Sequence, residues 1–368
     1  MRALWIPAVA LTGALAAQAA PPLRVLPEST PGAGFAQADA PRAFAFPRDH
    51  GPHPPFRQEW WYVTGNLDAP DGARFGFELT FFRFAFAAPQ SAAAPAGAPR
   101  SAWRTRQVWM AHFAVTDVAA ARFRFAQKLS REALALAGGE GGPARVWIDD
   151  WSLAEQPGEA GSWTLRATQS GYAIELTLSA AGPPALKGAQ GLSRKADDAG
   201  AASSYYSVPR LRARGTLTRE DRALPVQGSA WLDREWGSGG LGRNQEGWDW
   251  FGLQLQDGSA LMFYALRQRG GARDAHSAGT FVDRDGTAHA LDSGAVAIEV
   301  ADHWTNAAGD RYPARWRVRI ASLGLDLTVR PVLAAQELQT TPRYWEGAVD
   351  VSGTHSGRGY VELVGYAR

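Results

Sequence analysis

Between Ser229 and Phe251 four tryptophans (Trp231, Trp236, Trp248, Trp250) are interleaved with four carboxylates (Asp233, Glu235, Glu246, Asp249) around a glycine-rich turn. Strand alternation over 230–235 puts Trp231, Asp233 and Glu235 on one face. A carboxyl beside large apolar rings loses hydration, so its pKa rises and it can donate a proton at neutral pH. Asp233 and Glu235 are therefore the catalytic candidates, with Asp249 next, and the tryptophans are candidates to line an apolar site. The same pattern also suits a surface strand carrying solvated acids. The elements that position these residues must decide.

Those elements read as β throughout. Residues 61–67 run through Asp71-Gly72 into an aromatic-rich segment at 74–84, a hairpin signal. Segments at 108–115, 163–167 and 172–178 continue the series, and a second series starts near Arg212. No segment keeps a 3.6-residue period for long; 130–137 is the best short-helix candidate. The two halves echo each other. Trp61-Tyr62 leads to Asp71-Gly72, and Trp250-Phe251 leads to Asp257-Gly258, with intervening lengths that differ by three residues. The expected architecture is all-β, two barrel-like units divided near Ala223; a small closed barrel has no sheet edges and room for one ligand. Of the Trp-Trp-Tyr at 60–62, neighbours alternate between core and lining, and Trp61 is a lining candidate. His112, between apolar strand neighbours, reads as a hydrogen-bonded core histidine or as a ligand contact.

The N-terminus reads as a secretory leader. Arg2 precedes an apolar run at 3–17 that is short for a membrane span, and Ala17-Gln18-Ala19 fits a small-x-small cleavage site. Residues 1–19 are the expected signal peptide and 20–42, rich in Pro, Ala and Gly, a flexible linker. This predicts a periplasmic or secreted protein. With no cysteine, neither lipoprotein acylation nor a disulfide is expected. Charge is balanced, 38 basic against 36 acidic side chains, with no basic block that would suit nucleic acid. Only Lys128, Lys187 and Lys195 are lysines, which we read as coding bias.

Other chemistries fit less well. No serine lies in a Gly-x-Ser-x-Gly elbow. His50 and His53 with Glu59 form a conceivable metal set but lack His-Glu-x-x-His spacing, so no metal is expected. Arg48, Asp49 and His50 read instead as a polar plug at a barrel end, and Glu59, Arg57, Arg210 and Arg234 as candidates for buried ion pairs.

Several segments, taken together and in order, resemble the lipocalin-like secreted superfamily that includes carotenoid 1,2-hydratases and AttH-type proteins. They are Phe46-Pro-Arg-Asp-His-Gly-Pro-His-Pro54, Phe56-Arg-Gln-Glu-Trp-Trp-Tyr62, Gly191-Leu-Ser-Arg-Lys195, Tyr205-Tyr-Ser-Val-Pro-Arg-Leu211, Trp231-Leu-Asp-Arg-Glu-Trp236, Gly247-Trp-Asp-Trp-Phe251, Arg343-Tyr-Trp-Glu-Gly-Ala-Val349 and Gly359-Tyr-Val-Glu-Leu363. Gly237 after Trp236 departs from the Ser or Thr expected there. The resemblance implies two tandem lipocalin-like β-barrel domains, 43–222 and 223–368, with an apolar site at or between them. The hydratase branch implies cofactor-free addition of water to a terminal isoprenoid double bond, with Asp233 as the acid and Trp231, Tyr206 and Trp248 lining the site. The AttH-type branch implies a protein that binds an isoprenoid or lipid, with ABC-type export machinery as a partner. Fold kinship alone does not choose between them; the expected export favours the binding protein, with the hydratase, favoured by the acid-and-tryptophan cluster, as the alternative.

Overall fold

The computed structural model describes residues 34–89 and 105–367. The leader expected at 1–19 lies outside them. Among the described residues twenty-three strands follow one another, with only single-turn 3₁₀ segments besides. The first thirteen are β1 (Gln58–Asp68), β2 (Arg74–Ala85), β3 (Gln107–Asp117), β4 (Arg122–Arg131), β5 (Ala137–Glu140), β6 (Arg145–Ile148), β7 (Trp151–Glu155), β8 (Ser162–Gln169), β9 (Tyr172–Ala180), β10 (Ala185–Leu186), β11 (Leu192–Arg194), β12 (Ala202–Arg219) and β13 (Arg222–Gly237). They form one antiparallel sheet ordered β4-β3-β2-β1-β13-β12-β9-β8-β7-β6-β5, with β10 and β11 attached to β12. The remainder are β14 (Gln245–Leu255), β15 (Ala260–Gln268), β16 (Ala278–Val282), β17 (Ala288–Leu291), β18 (Ala297–Thr305), β19 (Arg311–Ile320), β20 (Leu325–Pro331), β21 (Glu337–Leu338), β22 (Tyr344–Gly353) and β23 (Gly357–Val364). Their order is β17-β16-β15-β14-β23-β22-β20-β19-β18, with β21 beside β22.

The all-β expectation therefore holds, with one difference in shape. The first sheet curls into a nearly closed barrel and the second stops as a half-barrel with β17 and β18 as its edges. Both concave sides are filled with side chains. Trp61, Phe77, Phe81, Phe113, Trp151 and Trp236 pack inside the first, and Phe251, Leu253, Trp316, Leu327 and Trp345 inside the second. Dense packing of this kind leaves no room for a ligand within either barrel.

Turn chemistry explains the hairpins. Gly72 and Gly258 take positive φ values of 83° and 90°, and the Asp before each accepts a backbone N–H two residues on, Ala73 and Ser259. The β12–β13 hairpin turns at Glu220 and Asp221, both left-handed, as a tight hairpin requires. This turn moves the division read at Ala223. β13 pairs with β1 and β12, so the sheets part between Gly237 and Gln245.

Two further expectations change. The helix candidate at 130–137 is a 3₁₀ turn at Ala133–Ala135, because pairing with β3 already takes Ser130 and Arg131 into β4. The end of the expected linker lies on the barrel: Ala38 is buried with Leu192 and Ala202, and Ala36 donates its N–H to the Pro55 carbonyl and accepts the Ser238 hydroxyl at its own carbonyl.

Candidate active site

The two barrels meet by their outer faces, and alternation decides which side chains reach the meeting place. On β13, Trp231, Asp233 and Glu235 point outward while Leu232, Arg234 and Trp236 point into the first barrel. On β1 and β12 the outward residues are Trp60, Tyr62 and Tyr205. Facing them from the second sheet are Trp248, Trp250, Tyr264, Leu266, Tyr344 and Glu362. A cavity of about 140 Å³ lies between these walls, lined mostly by apolar and aromatic side chains.

Asp233 is buried on the first wall. Its Oδ2 accepts the Tyr205 hydroxyl at 2.5 Å, and its Oδ1 accepts Trp231 Nε1 at 2.6 Å as well as the Ser207 hydroxyl. Burial pushes its pKa up, while Lys187 and the three donors favour the ionised form. Lys187 is buried, its Nζ makes no hydrogen bond, and it lies 5.5 Å over the Trp231 ring. Burial lowers its pKa to about 8, opposed by the Asp233 charge. Glu235 is held by Ser203 at 2.5 Å and by the Lys195 ammonium at 3.2 Å. That ammonium lies 4.2 Å over the Tyr264 ring. Two of the three lysines thus serve this site, which corrects the reading of their scarcity as mere coding bias.

The other wall carries acids the sequence did not single out. Glu362 lines the cavity and accepts Trp248 Nε1 at 3.0 Å. Behind that wall, Glu346 accepts the Tyr62 hydroxyl at 2.7 Å, and Glu78, on β2 of the first sheet, accepts the Tyr344 hydroxyl at 2.9 Å. Burial raises all three, Glu78 to about 7, Glu362 to about 8 and Glu346 well above the usual carboxylate range. The pattern was visible only as isolated acids in apolar strands, on segments far apart in sequence.

Of the residues predicted from sequence, Asp233, Glu235, Trp248 and Trp250 line the cavity, and Trp231 supports Asp233 from the side. Trp61, Tyr206 and Trp236 do not reach it: each is one position out of phase and faces the barrel interior. Tyr206 bonds His50 Nδ1 at 2.6 Å, and Trp236 stacks on His53 at 3.7 Å. His112 is buried and bonds Tyr344 at 2.8 Å, so it supports a lining residue from behind. Asp249 faces the second barrel's interior and meets Arg267 and Tyr366. The odd length difference between the two echoed hairpins explains a related flip: Tyr62 faces the cavity in the first and Trp250 in the second, because one step along a strand reverses the face. His50 Nδ1 bonds Tyr206 and His53 Nδ1 bonds Glu59, and among the described residues no trio of His, Asp or Glu is placed to hold a metal.

The interface acids give stability a testable pH dependence. A carboxyl with a raised folded pKa contributes stability that is complete below its unfolded value near 4.5 and lost as pH rises through the folded value. His50 and His112, lowered to about 4 and about 3 by burial, act oppositely, but only below about pH 6.5. Between pH 6.5 and about 7.5, before Lys187, lowered to about 8, begins to release its proton and oppose them, the acids dominate, so the melting temperature is expected to fall with pH. Glu78→Gln should flatten that fall in calorimetry, and an unchanged slope would show that Glu78 is ionised in the folded protein.

A family profile described as AttH-like matches residues 37–366. A crystal structure of a Nitrosomonas europaea protein ascribed to AttH is similar at 34% identity, covering 90% of this chain and 100% of that one, with a TM-score of 0.79. Kievitone hydratase from Nectria haematococca shares the fold at 13% identity, covering 92% of this chain and 98% of that one, with a TM-score of 0.65. No curated protein matches.

Proposed function

We propose that this chain, which belongs to the AttH-like family, binds a long apolar molecule of isoprenoid type between its barrels and adds water across one of its double bonds. The observation that carries this reading is a buried carboxyl, Asp233, fixed by three donors in the wall of a cavity whose lining is mostly apolar and rich in tryptophan, tyrosine and phenylalanine. Apolar walls bind a hydrocarbon chain. Protonating a trisubstituted alkene leaves a tertiary cation, which the faces of Trp248 and Trp250 attract. A buried acid–base group held in place supplies the proton traffic with no cofactor. The resemblance to a fold that also serves kievitone hydratase agrees with this but does not establish it.

The leader expected at 1–19 supports a periplasmic location, and delivery by or to an export system remains part of the proposal. The test is native mass spectrometry of protein purified from its exported form, with extraction of bound lipid, followed by incubation with an acyclic terpene. The expected result is a copurified isoprenoid or fatty chain and a tertiary alcohol product. A bound chain with no alcohol would leave a carrier, and a cavity that is empty of lipid and inert would overturn both.

A further inference from the structure

Hydration needs two proton transfers: one to the alkene, and one from the water that captures the cation. Asp233 and Glu235 line one wall of the cavity and Glu362 the other, and their surroundings differ. Asp233, on β13, accepts three hydrogen bonds, has Lys187 beside it, and projects from a wall where Lys195 adds a second cation. Glu362, on β23, accepts only the Trp248 indole N–H, and no lysine, arginine or histidine among the described residues comes within ion-pairing distance of it.

Resting on the hydration reading, we propose that Glu362 is the proton donor to the alkene and that Asp233 is the base that takes the proton from water. The Glu362 O–H breaks and its proton joins the less substituted alkene carbon, the π electrons forming the new C–H bond. The cation left on the more substituted carbon lies against the tryptophan rings. A water oxygen lone pair forms the C–O bond, and the excess proton passes to the Asp233 carboxylate. Return of that proton through solvent to Glu362 restores both groups, and the net change is addition of one water. Dehydration of a tertiary alcohol follows the same path backwards with the roles exchanged.

The groups that face Glu362 support this division. From β2 comes Glu78, from β13 Asp233 and Glu235, and from its neighbour β22 Glu346 and Tyr344, while Tyr62 approaches from β1. Every one is acidic, and burial together with the Glu78, Asp233 and Glu235 charges holds Glu362 protonated to about pH 8. Lys195, the one ammonium lining the cavity among the described residues, is engaged by Glu235. When two acids share a cavity, the one with donors and a cation ionises first and the other keeps its proton.

Two measurements test the assignment. Infrared spectra separate protonated from ionised carboxyls without needing turnover. Glu362→Gln should remove a protonated-carboxyl band that titrates near pH 8, and Asp233→Asn should remove a carboxylate band. The opposite result would overturn the proposal. Turnover of β-myrcene is the second readout. Glu362→Gln keeps the Trp248 hydrogen bond and is expected to lower hydration by about 10²–10⁴-fold. Wild type and Glu362→Asp should lose rate as pH rises past an alkaline limb, which the residual rate of Glu362→Gln should lack. Wild type that makes no alcohol would sink the hydration reading and this step with it, whereas an active wild type matched by Glu362→Gln would remove only Glu362 from the donor's role.

Discussion

Asp233→Asn is expected to lower hydration of an acyclic terpene by about 10²–10⁴-fold while leaving the fold intact and ligand affinity near wild type. The amide keeps the size and can still accept from Ser207 and Trp231, but it cannot bind a proton at neutral pH. Asp233 neutralises neither Arg234 nor Arg210. Arg234 donates instead to Glu59 and to the carbonyls of Trp60 and Gly51, and Arg210 to backbone carbonyls. The charge left behind by the substitution belongs to Lys187, whose pKa burial already lowers to about 8 and which can shed its proton rather than remain a buried ion. Melting temperature, ligand binding and product formation on the two proteins read the three consequences separately. A stable, fully active Asn variant would exclude Asp233 from the chemistry.

The second large effect lies inside the first barrel, away from the cavity. Glu59 is fully buried and accepts Arg83 Nε at 2.5 Å and Arg234 Nη2 at 3.0 Å, with the His53 backbone N–H at 3.0 Å. Burial opposes its charge, but Arg83, His53 and Arg234 outweigh it and hold its carboxyl well below the usual range. Glu59→Gln keeps the shape and strands two buried guanidiniums, which is expected to cost about 3–5 kcal/mol in denaturant unfolding. Arg166→Ala, which breaks the exposed Arg166–Glu175 pair, should cost at most about 1 kcal/mol. Equal losses in the two variants would mean that the carbonyl bonds of Arg83 and Arg234 suffice without the carboxylate. The acid that the sequence offered as one of several candidate pairing partners is thus the centre of this network, and Arg57 and Arg210 are not part of it.

Much of the architecture was legible because its signals are local. Alternating aromatics, Asp-Gly turns and the want of a helical period read directly as antiparallel hairpins, and the face shared by Trp231, Asp233 and Glu235 followed from a two-residue repeat. Turn type was harder. Glu220-Asp221 carries no glycine to announce a tight hairpin, so β13 was assigned to the wrong side of the division. Parity was harder still. Tyr205 and Tyr206, or Trp60, Trp61 and Tyr62, are chemically equivalent letters in a row, and a single step decides between core and cavity; Tyr206, Trp61 and Trp236 were misplaced for that reason.

What the sequence by itself determined is the all-β class, the paired hairpins and the face shared by Trp231, Asp233 and Glu235, since these rest on spacings of a few residues. Only the tertiary structure decided where that face looks. The barrels fill their own interiors and meet by their outer faces, so the cavity arises between sheets rather than within one. That meeting brings Glu346 and Glu362 opposite Asp233, and Glu78 of the first sheet against Tyr344 of the second, from strands far apart along the chain. No short-range pattern encodes such a meeting, because burial and the pKa values it shifts are set by neighbours that folding alone brings together.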